Sequence, residues 1–470
     1  MTVQAMAPSH PSVVPGPPGW PLLGNIAEMR RGPFHEVLLS LHETYGDIFR
    51  LRFPAEPALL VVRSPEALKR VLQTNARNYI KGQQLEVARP LIGDGLFISE
   101  GERWLRQRRL MQPAFVRPAV RRMGARMAQT IADDVVRRWE TAARDGRPLA
   151  VKAEMMRLAL QVVARTMFSG TLTDEDLRVV DEHFSFLLRV VTERSHNVWY
   201  NLFPWLQRAP TPTNRRFQQA LAALEELVYR LIADRRRTGD YGDDVAGMLL
   251  RARDEASGQG MTDKQLRDEL ITLFLAGHET TAIALTWALA VLSRYPALRR
   301  RLQAEVDEVL GDRLPTGEDF DRLPFTRAFF DEVLRVYPPQ VVMLRQAVGP
   351  DELDGFPVRA GQNLLLNIHG VHYHPGYWDN PQGFDPDRFA PFGPGPQHKF
   401  AYIPFGAGPR QCLGNHFALM EGVLALAIIH QRYVLDLLPD TRLEPDAVGT
   451  LRPKGPVLMR VRFREEAHAV

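Results

Sequence analysis

One cysteine stands among the 470 residues, Cys412, within the stretch FGAGPRQCLG at 405–414. A lone thiol cannot close an internal disulfide, and a structural zinc site needs about four nitrogen or sulfur ligands. An inert core cysteine is the plain reading of such a residue, but its neighbours suit reactivity. An apolar helical pattern follows at 413–430, so Cys412 stands just ahead of a helix, where free N–H groups and the helix dipole favour a thiolate. Arg410 adds positive charge two residues earlier. A thiolate so placed is either a metal ligand or a nucleophile, with His416 one turn on as its base.

Gly406, Gly408 and Gly414 strip side chains from this loop, which permits close approach of a large flat group. A porphyrin fits that description better than a small substrate, with Phe405 covering the ring. A dinucleotide loop is excluded, because Gln411 stands where G-x-G-x-x-G needs its third glycine. In AGHETT, 276–281, Gly277 weakens a helix and the Thr280 hydroxyl can bond to a carbonyl one turn back, opening a kink that admits water. Glu279 and Thr280 together then form a proton relay. A zinc reading of HETTA fails, since Ala282 occupies the position of the second histidine. Glu332 and Arg335 sit at i and i+3 on one helix face, as Trp104 and Arg108 do at i and i+4. His369, His372 and His374 crowd one strand-like segment without an evident carboxylate or cysteine partner, and are read as structural.

The elements that must position these residues are mostly helical. Thr262 and Gln265 form a capping box, and helical pattern runs from there to Tyr295, where Pro296 stops it, spanning roughly 50 Å. Residues 33–46 read as a helix ending on Gly46, with short strands in DIFRLRF and ALLVVR. From Ser64 to Tyr337 the pattern is almost wholly helical, 341–381 is strand and turn, and the last 35 residues or so resemble a β-hairpin. Residues 1–14 read as a flexible proline-rich arm, followed by an extended segment docking through Trp20, Leu22 and Leu23; 15–470 form a single domain. The fold class is mainly α with small β-sheets. A net charge of +4 with scattered arginines excludes a nucleic-acid footprint. The N-terminus lacks the pattern of a signal peptide, and no window reaches the roughly 18 apolar residues of a membrane span. The expectation is a cytoplasmic, monomeric protein.

FGAGPRQCLG resembles the haem-binding loop F-G-x-G-x-R-x-C-x-G of the cytochrome P-450 monooxygenases, matching at Phe405, Gly406, Gly408, Arg410, Cys412 and Gly414. AGHETT resembles the family's distal-pocket motif, and Glu332, Arg335 and Arg388 resemble its E-x-x-R network, with Asp387 in place of the usual glutamate. The resemblance runs from about Pro15 to the C-terminus. It implies haem b held between the long helix and the cysteine loop, with Cys412 as the iron ligand. Trp104, Arg108, Arg345 and Arg410 would hold propionates, Ala276, Phe405, Gly406 and Gly414 would meet the ring, and Glu279 and Thr280 would deliver protons. His372 and Trp378 match a structural H-x-x-x-x-x-W stretch.

By position, the substrate pocket takes Leu85, Leu91 and Phe97, then Thr272, Phe274, Leu275, Ala276 and Thr280, Val341 and Val342, and Gly449. The implied reaction inserts one atom of O2 into a medium-sized hydrophobic substrate of terpenoid, polyketide or fatty acyl class. Electrons come from NAD(P)H through a separate ferredoxin or flavodoxin and its reductase, docked on arginines such as Arg106 and Arg109. A peroxide-driven version of the fold, a haem sensor without turnover and a cysteine hydrolase are the alternatives.

Overall fold

The computed structural model describes residues 13–464 apart from 22, 54–57, 169–172, 197–199, 201–202 and 256. In chain order the helices used below are α1 (Phe34–Tyr45), α2 (Gly101–Met111), α3 (Val151–Phe168), α4 (Asp174–His196), α5 (Pro212–Thr238), α6 (Asp263–Arg294), α7 (Pro324–Val336), α8 (Ile368–His372) and α9 (Asn415–Arg432). The strands used below are β1 (Ile48–Leu51), β2 (Leu59–Val62), β3 (Tyr79–Ile80), β4 (Pro148–Ala150), β5 (Val342–Ala347), β6 (Asn363–Asn367), β7 (Tyr433–Leu437), β8 (Pro445–Val448), β9 (Thr450–Pro453) and β10 (Leu458–Phe463). Backbone contacts divide the chain into two compact units. One comprises Met1–Gly82, Gln340–Gly383 and Pro396–Cys412, the other Gln83–Pro339, Phe384–Gly395 and Leu413–Val470.

In the first unit the sheet order is β1-β2-β6-β5-β3, with β2 and β6 parallel and the other neighbours antiparallel. Leu38 and Leu41 of α1 pack on Phe49, Leu51, Val61 and Leu365 of the sheet, which is the burial that fixes α1 on this face. The N-terminal segment docks differently from the sequence expectation. Trp20 and Leu23 are 68% and 55% exposed, and Leu22 lies outside the described residues. Reciprocal backbone bonds between Trp20 and Gly24 make a tight turn with Trp20 and Leu23 facing out. Val14 is buried instead, and Asn25 clamps the segment, its Nδ2 donating to the Pro17 and Pro18 carbonyls and its Oδ1 accepting from Arg52 N.

The histidine-rich segment is also corrected. Residues 368–372 form a helical turn, capped by Asn367 Oδ1 accepting from Gly370 N, so strand spacing does not apply. His374 does have a carboxylate partner, Asp47, at 3.0 Å, and His372 Nε2 accepts from Ile403 N. No group of three or more potential metal ligands occurs among the described residues.

In the second unit, α6 begins at the expected capping box, with Gln265 N donating to Thr262 Oγ1 and Thr262 N to Gln265 Oε1. It is long and apolar enough to cross a membrane, but it is buried along most of its length inside the protein. It packs against α3, α9 and α5. Helix α9 starts at Asn415, two residues later than its apolar pattern suggests. The C-terminal region is larger than one hairpin: β8 and β9 form the hairpin, while β10 is the central strand of a second sheet, pairing with β7 on one side and β4 on the other. Strands β3 and β4 interrupt the otherwise helical stretch and are too short to leave a periodic signal.

Gly422 on α9 lies where a Cβ would run into the Phe330 ring of α7, so the two helices meet through a missing side chain. Gly422→Ala should overpack that contact and cost about 1–3 kcal/mol. Equilibrium urea unfolding should show a lower midpoint at unchanged slope; an unmoved midpoint would mean that Phe330 shifts aside without cost.

Candidate active site

The second unit holds a buried charge network. Glu332 and Arg335 on α7 are both fully buried, with Nε to Oε2 and Nη2 to Oε1 each 2.7 Å, a side-on bidentate pair. Glu332 Oε1 also accepts from Asp385 N at 2.8 Å, and Arg388 Nε stands 3.6 Å away. Burial pushes the Glu332 carboxyl up, and Arg335, the Asp385 N–H and Arg388 oppose it. Asp387 stays outside the network on Arg301, 2.8 Å away, so losing the usual glutamate there leaves the arginines in place.

Helix α6 is buried from Leu266 to Phe274 and again from Thr281 to Leu292. Between them Ala276 is exposed, and Leu275, Gly277, Glu279 and Thr280 are partly exposed. Thr280 Oγ1 donates to the Ala276 carbonyl at 2.8 Å, the back-bond that the motif implies. Glu279 Oε1 accepts from Thr450 Oγ1 at 3.0 Å. Burial raises the Glu279 carboxyl, against Thr450, Arg452 and Lys152, which lower it. Gly277 has a packing role: a Cβ there would lie 2.8 Å from Val163 Cγ2 on α3. His278 is buried edge-on to Phe184, and desolvation lowers it to about 4.

The expected pocket residues separate into two groups. Phe274 lies on a different face of the helix from Ala276 and stacks on Phe168 at 5.2 Å, so it belongs to the packing among α3, α4 and α5. Thr272 shares the Ala276 face one turn earlier but is covered there by Gly95, and its hydroxyl bonds back to Asp268 O. Leu91 and Val341 are buried too. Phe97, Leu275, Ala276, Thr280, Val342 and Gly449 remain accessible; the Leu85 side chain lies outside the described residues. Trp104 and Arg108 are half-buried on one face of α2. Arg106 and Arg109, expected to dock a partner, hold the 254–260 turn: Arg106 donates to Gly260 O at 2.9 Å and Arg109 to the buried Asp254 carboxylate at 3.1 Å.

In the first unit the cysteine loop closes on itself, Cys412 N donating to Phe405 O at 2.9 Å, and the thiol residue is exposed. The three glycines act differently. Gly406 and Gly408 hold positive φ of 68° and 69°, and a Cβ on Gly408 would strike the Leu72 carbonyl. Only Gly414 opens onto empty space, with no atom within 4 Å of where its Cβ would stand. Cys412 lies three residues ahead of α9 rather than at its cap. Arg410 and Phe405 are half-buried, and Arg345 is buried, with Nη1 donating to Leu344 O. An exposed thiol, an open glycine two residues on and the Arg410 guanidinium in the same loop suit an anionic macrocycle, so these residues fit haem.

A mostly helical protein with a buried long helix, an E-x-x-R network and an exposed cysteine loop of this kind is a haem-thiolate oxygenase. The family model described as cytochrome P-450 matches residues 14–460, and the chain belongs to that family. It is 37% identical over 447 residues to cyclooctatin synthase of Streptomyces melanosporofaciens, covering 94% of each chain. To pentalenene oxygenase of Streptomyces avermitilis it is 33% identical over 432 residues, 92% of this chain and 93% of that one. The crystal structure of the cytochrome P450DA haem domain superposes with a TM-score of 0.86 at 28% identity, covering 96% of this chain and 97% of the other. The protein is therefore an oxidoreductase that incorporates oxygen from O2, and the family implies haem-thiolate iron.

Sequence reasoning missed Thr450, Lys152 and Arg452 around Glu279, because no local motif joins residues 171 positions apart. Arg335→Ala would strand Glu332 in the interior and should cost about 3–5 kcal/mol. Arg388→Ala, removing the more distant guanidinium, should cost less. Equilibrium unfolding of both variants gives the order, and the reverse order would assign the network's main counter-charge to Arg388.

Proposed function

We propose that this chain is a monooxygenase for a terpenoid-sized hydrophobic substrate, using haem b and electrons from NAD(P)H delivered by a separate ferredoxin or flavodoxin and its reductase. The observation that carries the reading is the accessible stretch of an otherwise buried helix, with Thr280 bonded back to Ala276 and Glu279 beside it. The accessible candidate lining in the second unit is apolar at Phe97, Leu275 and Ala276. A terpenoid substrate is supported by the names of the relatives, which refer to cyclooctatin and pentalenene. A role in secondary metabolism, a cytoplasmic location and a monomeric state complete the proposal.

Cys412 would supply the thiolate ligand, Trp104, Arg108, Arg345 and Arg410 would hold the propionates, and Phe405, Gly406, Gly414 and Ala276 would lie against the ring. When bound, haem with a thiolate ligand supplies the activation of O2 and the transfer of one oxygen atom. Glu279, whose carboxyl burial raises against Thr450, Arg452 and Lys152, would carry a proton, and Thr280 would pass it on through its hydroxyl. Loss of one relay member should slow productive turnover by roughly 10²–10⁴-fold. The peroxide-driven alternative is disfavoured by this same acid–alcohol pair.

Two measurements test the assignment. The reduced, CO-bound absorption spectrum should show the thiolate type in the wild type and lose it in Cys412→Ala; a thiolate-type band surviving in that variant would disprove the ligand. Thr280→Ala should keep the spectrum while sending a larger share of NADPH electrons to hydrogen peroxide. An unchanged peroxide yield would remove Thr280 from the relay.

A further inference from the structure

Glu279 is fastened to a distant part of the chain. Its partner Thr450 opens β9 immediately after Gly449, whose φ of 77° makes the hairpin turn, and it pairs across the turn with Val448. The next residue anchors that hairpin twice: Trp287 Nε1 of α6 donates to Leu451 O at 2.8 Å, and Leu451 N donates to Pro339 O at 3.0 Å. Thr450 is 9% exposed, so its hydroxyl is placed by these anchors and not by solvent.

Three charged groups face Glu279 or stand next to those that do. Lys152 opens α3, Arg452 lies on β9 and Asp446 on β8, directly opposite Arg452 in register, with Arg452 Nε 3.9 Å from its carboxylate. Arg452 and Asp446 are each about one-third exposed. Burial and Arg452 lower the Lys152 amine, while Glu279 and Asp446 raise it, so both groups belong to one electrostatic set. On the same helix, His278 is buried on another face and is held neutral by desolvation.

We propose that Thr450 is a positioning residue that holds Glu279 at the inner end of a proton entry route, whose solvent end is formed by Lys152, Arg452 and Asp446. The inference rests on the relay reading of Glu279 and deepens it. One carboxyl oxygen is occupied by the Thr450 hydroxyl, which leaves the other to give a proton inward. The proton surrendered there is replaced by one from water at the Arg452–Asp446 edge, so no other reactant is consumed. Arg452 and Lys152 favour the ionised form after each transfer, and burial favours its reprotonation. A hydroxyl is the smallest group that fixes the carboxyl without holding it permanently ionised, as an arginine in hydrogen-bond contact would.

The test is an infrared difference titration of the haem-loaded protein, with Glu279→Gln assigning the carboxylic C=O band. Removing a donor to the carboxylate in Thr450→Val should move the band's midpoint to higher pH, and Thr450→Ser should return it. In the reconstituted system without added substrate, hydrogen peroxide released per NADPH should rise at least threefold in the valine variant and fall back in the serine variant. Should the valine variant not fold, Thr450→Ala gives the same comparison. A midpoint unchanged in Thr450→Val, or unrestored by serine, overturns the positioning role. If the midpoint shifts but Glu279→Gln leaves peroxide release at the wild-type level, the relay reading itself fails and takes the entry route with it.

Discussion

The near-complete burial of α6 is the constraint on which the rest of the structure depends. A 32-residue helix inside a protein core must satisfy its polar side chains locally or find them buried partners. Three of its threonines do so in one way. Thr272, Thr280 and Thr286 each donate to the carbonyl four residues back, at 2.7, 2.8 and 2.7 Å. The back-bond at Thr280 is therefore the ordinary solution for a buried threonine on this helix. What separates Thr280 from the other two is exposure, since they are buried and it is not. The chemistry assigned to this position follows from the gap in packing around Ala276.

That gap is maintained by close packing on either side of it. Gly277 lets α3 approach to a distance that a methyl group would forbid, and Gly95 admits its loop onto Thr272. Gly422 does the same between α9 and α7. Glycines inside helices cost stability relative to alanine, about 1 kcal/mol each. Here that cost is offset by the apolar area that the closer approach buries. The glycine of AGHETT is consequently a packing residue on one face of a helix whose other face carries the accessible groups.

The parts of the site that the sequence disclosed are those whose geometry is complete within one or two turns. The capping box at Thr262, the Glu332–Arg335 pair, the Thr280 back-bond and the loop around Cys412 each depend on neighbours a few residues away. Spacing constrains such contacts directly. Contacts that depend on tertiary placement were not legible. Thr450 reaches Glu279 only because a hairpin is anchored at Leu451, and Asp47 reaches His374 across more than three hundred residues. Contiguity also misled: Phe274 stands two residues from Ala276, but a helix turns about 100° per residue and aims it elsewhere, while Thr272 shares the Ala276 face and is covered by Gly95. Arg106 and Arg109 each give an Nη2 donor to the 254–260 turn, a contact that spacing did not disclose.

Three carboxyls within or against α6 show why only one is suited to trading protons. Glu269 is fully buried, accepts one bond from Leu96 N and is pushed up to about 8 by desolvation, with Asp268 raising it further. Glu421 of α9 is wholly buried, and desolvation drives it well above the carboxylate range, with the Thr281 hydroxyl opposing. In both, burial favours the protonated form. Their contribution to stability is complete below about pH 4.5 and is lost as pH rises through their folded values, about 8 for Glu269. Such groups resist ionisation because a single hydrogen bond each, from Leu96 N and from Thr281, opposes the desolvation. Glu279 is desolvated as they are, but it has Arg452 and Lys152 within its field and Thr450 on one oxygen. Its neutral and ionised forms are both supported, and cyclic proton transfer requires both.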